Sequence, residues 1–476
     1  MAVILNTPEL QAAVQQGFLV RRILDGLMPA LMWRAEAGEP EIWEGAAGER
    51  RTFTQKGRAK PTAKPLVPGN DPKVITTPLE QWEAELRLYP DEGAQDVNMV
   101  AAANSIVNTL YVEIHNLGVQ CGESLNKISR APLYNAALAG WTVADGAQAA
   151  VTSLRVARLN GFTTARRPDL RLQSVVKYMP VASTNPLKIT VNGVANTVIG
   201  FTPDIPDDIY GPGLLLLSAA VTVVDRALVK SDDATFIHRV GSGNAGRIDD
   251  VTPAQKLTLA DVRTATTRFR KQNVARHDDG FWHLHLDPTP MSQIMADPEF
   301  QRLTETGLAS LPDFFLFVEQ VQRIGVGCIW LENNLTWTFG EESAAGSTNV
   351  GGPSKTYSES DPVGAETTND GTPSGDPVFH SLLLGAGLLK EYIQKQDQYL
   401  TDAGVTGLVG EFDASLSVDE MTIYTQDVSF IMQAAKNRHA DQIGMAWKFV
   451  AAYSTRPDGV VGDAARYKRC MAICSG

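Results

Sequence analysis

The sequence predicts a mixed α+β fold, and three observations carry the prediction. Residues 96–127 place apolar side chains at steps of three and four, which is one face of a long helix. Residues 150–240 hold several short runs in which apolar and polar residues alternate, the pattern of strands with one buried face. From Lys256 onward the two periods follow each other in one stretch, so helices and strands share a core there.

Composition narrows the function classes. The chain has 476 residues, enough for a sizeable core and, by length, roughly two to four units. Apolar residues make up 43%, which argues against wholesale disorder. The formal charge of −12 makes the whole surface a poor binder of nucleic acid without sequence preference. The four cysteines are Cys121, Cys328, Cys470 and Cys474; no CxxC pair occurs, so neither a zinc ribbon nor a disulfide framework is indicated, and a reducing place of synthesis fits. The longest apolar run, Leu214–Val224, falls short of a membrane span, and the N-terminal stretch lacks the basic-then-apolar layout of a signal peptide.

Taken in order, residues 1–45 open with Asn6-Thr7-Pro8-Glu9, a helix start with Pro in the first turn. Leu10, Val14, Phe18, Leu19 and Ile23 continue at helical spacing, and Leu27–Trp33 is a second apolar stretch. This segment reads equally as a helix packed on its own domain or as an arm docked on a neighbouring subunit. Residues 46–95 differ. Arg50, Arg51, Lys56, Arg58, Lys60 and Lys64 occur with no acid between them, and a turn-rich tip comes next at residues 65–72. The return, Leu79–Leu88, alternates, with Trp82, Ala84, Leu86 and Leu88 on one side and Glu83, Glu85 and Arg87 on the other. A long two-stranded arm results. Such a ribbon is marginal alone and must pack on something. Only Phe53 interleaves with the basic run, which weakens a base-stacking role; taken without context, the run reads as a solvated face.

Residues 96–149 hold the helix, with Asp96 as candidate N-cap and Val100, Ala103, Val107, Leu110, Ile114, Leu117 and Cys121 as its stripe. His115, beside that stripe, reads as structural. Residues 150–250 form a β-rich block. Ser153–Leu159, Leu170–Tyr178, Leu214–Val224 and Ala234–Val240 are strand candidates, and residues 187–199 form a hairpin turning at Asn192-Gly193. Residues 251–430 begin with a helix opened by a Thr258/Asp261 capping box and faced by Leu259, Val262, Ala265 and Phe269. A turn at Asp278-Asp279-Gly280 leads to the strand Phe281–Leu286, with Trp282, Leu284 and Leu286 on one side. Asp287-Pro288 stops it. A short helix at Met291–Met295, an apolar run at Phe314–Val318 and a strand at Gly327–Leu331 come next. Residues 338–377 are Gly-, Ser-, Thr- and acid-rich and read as an exposed loop. Phe379–Ile393 reads as a strand running into a helix. Met421–Tyr424, Val428–Ala434, Gly444–Tyr453 and Tyr467–Cys474 are strand candidates, the last with Cys470 and Cys474 on one buried face.

Two motifs point to chemistry. Gly241–Gly246 spells G-x-G-x-x-G, but no helix opens directly after it to face a pyrophosphate. His283, His285 and Asp287 spell H-x-H-x-D on one strand face, as some zinc hydrolases begin a site; no further ligand pattern accompanies them. Neither a G-x-S-x-G elbow nor a P-loop occurs. No catalytic, cofactor-binding or metal-binding residue is therefore assigned, and no cofactor is expected.

The order of capped helix, D-G turn, alternating strand, Asp287-Pro288, short helix and Arg323-Ile324-Gly325 resembles the A-domain region of phage major capsid proteins of the N4-like group, which have the HK97 fold. Asp441 to Lys448 resembles that family's D-x-x-G-x-x-G-W-K segment, with Ala446 in place of the second glycine. Pro377 to Gly385 resembles its v-x-x-x-l-v-l-G stretch. The resemblance covers the second half well and the first half by layout.

It implies an HK97-like capsid fold: an N-terminal arm (1–45), an E-loop-like β-arm (46–95), a P-domain spine helix region (96–149), a β-rich insertion domain (150–250), an A-domain (251–430) with the loop 338–377, and a return to the P- and A-domains (431–476). The chain would then be a structural protein and not an enzyme, self-assembling as hexamers and pentamers into an icosahedral shell around packaged double-stranded DNA of a tailed phage. The DNA would be held without sequence-specific contact. Its other partners would be portal, scaffolding or decoration proteins, and no membrane. Its place would be the virion capsid, assembled in the host cytoplasm. Subunit-interface candidates are Arg50, Arg51, Lys56, Arg58, Lys60, Lys64, Trp82, Leu86 and Leu88. The alternatives are a metal-dependent hydrolase using His283, His285 and Asp287, and an HK97-fold compartment enclosing cargo enzymes.

Overall fold

A computed structural model describes residues 32–43, 50–56, 63, 65–72, 79–90, 93–98, 109–168, 175–206, 210–224, 227–241, 254–307, 321–324, 326–333, 336, 338–339, 378–394, 420–425, 428–433, 442–456 and 469–476. The chain divides into two units: Met1–Thr52, Glu83–Pro132 and Leu389–Ser454 form one, and Phe53–Trp82, Leu133–Leu388 and Thr455–Gly476 the other.

The first unit is a seven-stranded sheet under a long helix. The strand order is β1 (Glu41–Ile42), β20 (Leu389–Ile393), β23 (Gln442–Thr455), β22 (Val428–Gln433), β21 (Glu420–Thr425), and β23 also carries β4 (Arg87–Tyr89) and β5 (Ala94–Asn98). Helix α1 (Thr109–Ala137) lays Ile114, Leu117, Cys121 and Leu125 against Phe430, Met445, Trp447 and Phe449. Of the expected stripe, Ile114, Leu117 and Cys121 are thus on the packed face, while Val100, Ala103 and Val107 lie outside the described residues. Each such fully buried side chain contributes about 1.5–3 kcal/mol.

Both ends of the helix differ from the expectation. Asp96 is no N-cap; it lies in β5, opposite Gly444 of β23, because a ladder partner from the far end of the chain outweighs a local capping cue. The helix also runs past Lys127 to Ala137, with Pro132 inside it. The apolar stripe is interrupted by Asn126, Ser129 and Arg130, yet all three are buried. Asn126 Oδ1 accepts the Trp33 N–H at 2.7 Å, and the Ser129 hydroxyl donates to the Asn126 carbonyl at 3.0 Å.

The N-terminal stretch read as a helix at residues 6–31 lies outside the described residues. The segment Trp33–Trp43 docks into the first unit. Trp33 and Trp43 are both fully buried, and β1 pairs in parallel with β20. Between the two tryptophans a 3-10 turn (Arg34–Ala37) brings the Arg34 guanidinium into the core. Arg34 Nε reaches Glu391 Oε1 and Oε2 at 2.9 and 3.2 Å, and the Tyr453 hydroxyl donates to Glu391 Oε1 at 2.6 Å.

The second unit holds two large sheets. One takes the order β6 (Trp141–Val143), β13 (Leu228–Ser231), β10 (Leu187–Val191), β11 (Val194–Pro203), β12 (Gly213–Val223), β7 (Gln148–Val156). Its β10–β11 hairpin turns where expected, with Asn192 at φ +46° and Gly193 at φ +83°, the positive pair a tight hairpin turn requires. The remaining strands of the β-rich stretch go elsewhere. Of the strand expected over 170–178, residues 170–174 lie outside the described residues; β9 (Val175–Pro180) and β8 (Thr164–Pro168) join β2 (Arg50–Lys56) and β3 (Leu79–Glu85) in a four-stranded sheet.

The other large sheet runs β14 (Ile237–Arg239), β24 (Cys470–Ser475), β19 (Val378–Leu384), β15 (Trp282–Leu286), β17 (Cys328–Glu332), β16 (Val321–Ile324), with β18 (Thr338–Phe339) on β19. The expectation of a strand running into a helix over 379–393 fails here. The stretch is two strands, β19 and β20, divided by a turn with Gly387 at φ +70°, and they belong to different sheets. The last strand, β24, pairs with β14 and β19, in the sheet that holds β15, whereas β23 lies in the sheet beneath α1. Cys470 and Cys474 are both buried in β24, as expected of small apolar residues. The apolar run 314–318 and most of 338–377 lie outside the described residues.

Helix α2 (Leu259–Lys271) starts at the predicted capping box: the Thr258 side chain accepts from the Asp261 N–H, and Asp261 accepts from the Thr258 N–H. Leu259, Val262, Ala265 and Phe269 are its buried face, and the Phe269 ring meets Trp282 of β15 edge-on at 5.8 Å. Thr258→Ala is expected to lower stability by about 1 kcal/mol, read as a lower urea midpoint, because one orphan N–H of the first turn loses its acceptor. The helix after β15 is longer than expected: α3 (Pro288–Met295) starts directly at Pro288, and α4 (Pro298–Gly307) comes after it.

Candidate subunit interface

The basic arm is the first candidate. Strands β2 and β3 lie side by side in the four-stranded sheet, and β3 continues in parallel onto β9 through Leu79 and Glu80. Phe53 and Trp82 stack across the pair with centroids 5.9 Å apart, and both stay half-buried. Arg50 Nε and Nη2 both donate to Glu85 Oε1, at 3.1 and 3.0 Å, and Arg87 Nη2 donates to Glu85 Oε2 at 3.3 Å. Partial burial pushes the Glu85 carboxyl up, but the two arginines outweigh it and hold the group below its usual range. The outbound strand is therefore partly neutralised from within the arm.

The tip turns at Val67-Pro68-Gly69-Asn70. Pro68 and Gly69 take the second and third places, Gly69 has φ +91°, and the Asn70 N–H donates to the Val67 carbonyl at 3.1 Å. This is type II turn chemistry. Leu66 and Val67, just before it, are 58% and 63% exposed. Neither was singled out from the sequence; two adjacent apolar residues among prolines carry no periodicity to mark them.

Trp82, Ala84, Leu86 and Leu88, expected on one side, do not form one continuous face. Ala84 is buried, Leu86 half-buried and Leu88 64% exposed. The strand breaks at Leu86, between β3 and β4, so the alternation read through Leu88 is interrupted. Leu88 then sits opposite Val450 in the sheet under α1. Arg51 lies exposed in β2, and Lys56 ends that strand. Arg58, Lys60 and Lys64 lie outside the described residues, as does the G-x-G-x-x-G run beyond Gly241. On α1, Val112, Asn116 and Glu123 are exposed, opposite the buried stripe, and His115 lies half-buried between.

The H-x-H-x-D motif serves the fold. Asp287 is the N-cap of α3: its Oδ1 accepts the Thr289 N–H at 2.9 Å, and its Oδ2 accepts the Thr336 hydroxyl at 3.2 Å. His285 is fully buried, whereas His283 is half-exposed and pairs with Asp279 at 2.9 Å. The three side chains therefore occupy three different environments, and the structure does not gather them as a metal-hydrolase site.

Burial raises the Asp287 carboxyl above its usual range, and the bonds from Thr289 and Thr336 only partly offset this. A carboxyl raised in the fold contributes its stability below its unfolded pKa and loses it as pH rises through the folded value. Asp287→Asn keeps an acceptor for the cap and carries no charge. It is expected to gain stability over the natural chain as pH rises from about 4 to about 7, measured as urea midpoints. Asp287→Ala is expected to lose about 1 kcal/mol at either pH.

No protein-family description matches the chain, and no curated protein does. Solved structures do align with it. The capsid of Ralstonia phage GP4 aligns over 92% of this chain and 86% of that one, with 10% identity and a TM-score of 0.43. The cyanophage Pam1 capsid aligns over 96% and 93%, with 9% identity and a TM-score of 0.45. The head of Helicobacter pylori bacteriophage KHP40 aligns over 91% and 87%, with 9% identity and a TM-score of 0.40.

Proposed function

We propose that this chain is a shell subunit, the major capsid protein of a tailed phage, with an HK97-like arrangement of arm, long helix and sheets. Its activity is self-association. Hexamers and pentamers close into an icosahedral container for double-stranded DNA, with portal, scaffolding or decoration proteins as further partners. The virion is its destination, and the host cytoplasm its place of assembly.

The arm is the observation that carries this reading. Leu66 and Val67 lie in water at its tip, and the Phe53–Trp82 pair is only half covered. An arm at the edge of a four-stranded sheet with a bare apolar tip gains further stability when another surface covers it. Covering each such side chain contributes about 1.5–3 kcal/mol. A second copy offering a different patch makes this a heterologous contact, which repeats and closes into a shell when the rotation allows. The residue-level resemblance of residues 256–334, 377–385 and 441–448 to phage capsid proteins supports the same reading.

Negative-stain electron microscopy with light scattering tests it on the chain co-expressed with its neighbouring head genes. Closed shells, tubes or hexameric rings are expected, with nuclease-protected double-stranded DNA in particles from infected cells. A monodisperse monomer or dimer under those conditions overturns the reading. Particles filled with protein would move it to a cargo compartment.

A further inference from the structure

We propose that the exposed face of α2 is a contact surface for the phosphate backbone of double-stranded DNA, made without reading bases. The shell reading above supplies the partner, as packaged DNA; the surface itself is argued from this helix. Residues 259–276 hold Arg263, Arg268, Arg270, Lys271 and Arg276 against one acid, Asp261. The chain as a whole runs the other way, with 54 acidic and 42 basic residues. Asp261 is moreover taken up within the fold: it accepts the Thr258 N–H in the capping box and lies 2.9 Å from His238 Nε2.

The charges fall on one side of the helix. Arg263, Thr267, Arg270 and Lys271 recur at helical spacing and are all exposed, turned away from the buried Leu259, Val262, Ala265 and Phe269. From Arg263 to Arg270 the helix rises about 10.5 Å. A DNA strand sets its phosphates about 3.4 Å apart along the duplex axis, so about three fall within that length. Thr267, between the two arginines, adds a hydroxyl that can donate to a phosphate oxygen.

A basic last turn suits the negative end of any helix dipole, and a solvated face needs no more than that. Here the patch reaches further. Arg263 lies two turns before Arg270, and Arg276 lies past the helix end at Lys271. The arginines are also held in place. Arg270 Nη2 donates to the Val326 carbonyl at 2.9 Å. The Arg276 guanidinium carbon lies 4.8 Å from the centroid of the Trp282 ring, and its Nη1 donates to the Gly280 carbonyl at 3.3 Å. Carbonyls and a ring fix a guanidinium without cancelling its charge, and a planar fork so held loses less freedom on meeting a phosphate. Among the described residues no carboxylate pairs with Arg270, Lys271 or Arg276. Arg263 does pair with Glu299, at 2.8 Å, and Asp278 and Asp279 border the patch beyond Arg276. Arg270, Lys271 and Arg276 are therefore the principal contacts, and Arg263 is at the rim.

Fluorescence anisotropy of a labelled, mixed-sequence duplex with the tag-free full-length chain tests the proposal. Half-saturation is expected below about 100 μM at about 50 mM salt. The logarithm of affinity should fall against the logarithm of salt with a slope of about −2.7, since each of three phosphate contacts contributes about 0.9. Arg270→Gln, Lys271→Gln and Arg276→Gln together should weaken binding about 10-fold or more and bring the slope near zero, with unchanged circular dichroism. Lys188→Gln, at an exposed position of β10, should alter neither. No anisotropy change at about 100 μM chain overturns the proposal, as does a folded triple variant that keeps the natural slope. Loss of binding on Arg50→Gln with Arg51→Gln, the α2 residues intact, would place the contact on the arm and overturn it too. So would a changed oligomeric state of the DNA-free triple variant, which would make the face an interface between copies. A chain that forms shells yet leaves the duplex unbound overturns this proposal alone; one that binds the duplex through α2 and forms no particles overturns only the shell reading.

Discussion

Glu391→Ala is expected to cost about 3–5 kcal/mol of unfolding free energy, the loss seen when one partner of a buried pair is removed. Glu391 is 1% exposed and Arg34 8%. The carboxylate takes Nε of Arg34 on both oxygens and the Tyr453 hydroxyl on one. Arg34 in turn lies 5.2 Å over the Phe449 ring, inside the core beneath α1. Removing the carboxylate takes from a buried guanidinium the anion it grips at 2.9 Å in a low-dielectric site, and that lost compensation dominates the cost. The same change strands the Tyr453 hydroxyl, which burial and the nearby Glu391 charge already hold strongly protonated.

The double substitution Arg34→Met with Glu391→Leu is expected to recover most of the loss, because it removes both charges and keeps apolar volume. A double-mutant cycle in urea, read by tryptophan fluorescence, should give a coupling of about 2 kcal/mol or more. A loss below about 1 kcal/mol for Glu391→Ala would mean that water reaches the pair. The effect should extend to Trp33 and Trp43, since the same segment buries both rings.

Arg50→Glu, Arg51→Glu and Lys56→Glu together should abolish closed shells while leaving the subunit folded. The folding cost is small because the affected pair is on the surface: the Arg50 side chain is 70% exposed and Glu85 37%. Exposed pairs contribute roughly 0–1 kcal/mol. Assembly is more sensitive. An unfavourable change of about 1.4 kcal/mol at each contact is tenfold in its association constant, and every copy in a shell makes several contacts. Arg50→Glu also sets a second carboxylate against Glu85, which the arginines now hold ionised. Sedimentation should find folded monomers or small oligomers with unchanged circular dichroism. Intact shells from the triple variant would remove the basic strand from the assembly mechanism.

Legibility in the sequence tracks the range of the forces involved. The Thr258/Asp261 capping box, the Leu259–Phe269 face, the Asn192-Gly193 turn and the stripe Ile114, Leu117, Cys121 are all set by residues within a few positions of one another. Those elements form as expected. The failures lie where a distant partner decides. Asp96 resembles a cap until β23 supplies a ladder, and Phe379–Ile393 resembles one continuous stretch until two sheets divide it.

The site candidates divide in the same way. The basic composition of Arg50 to Lys64 is plain in the sequence, whereas the Glu85 clamp on Arg50, the bare Leu66-Val67 tip and the slip at Leu86 are not. The sequence by itself determined the α+β class, the capping box of α2, the hairpin and the run of basic residues, because local spacing fixes backbone conformation and face. Only the tertiary structure decided which strands pair and which charges are buried together. Those outcomes depend on contacts between residues hundreds of positions apart, as between Arg34 and Glu391 or between β14 and β24, and no local pattern encodes a partner at that distance.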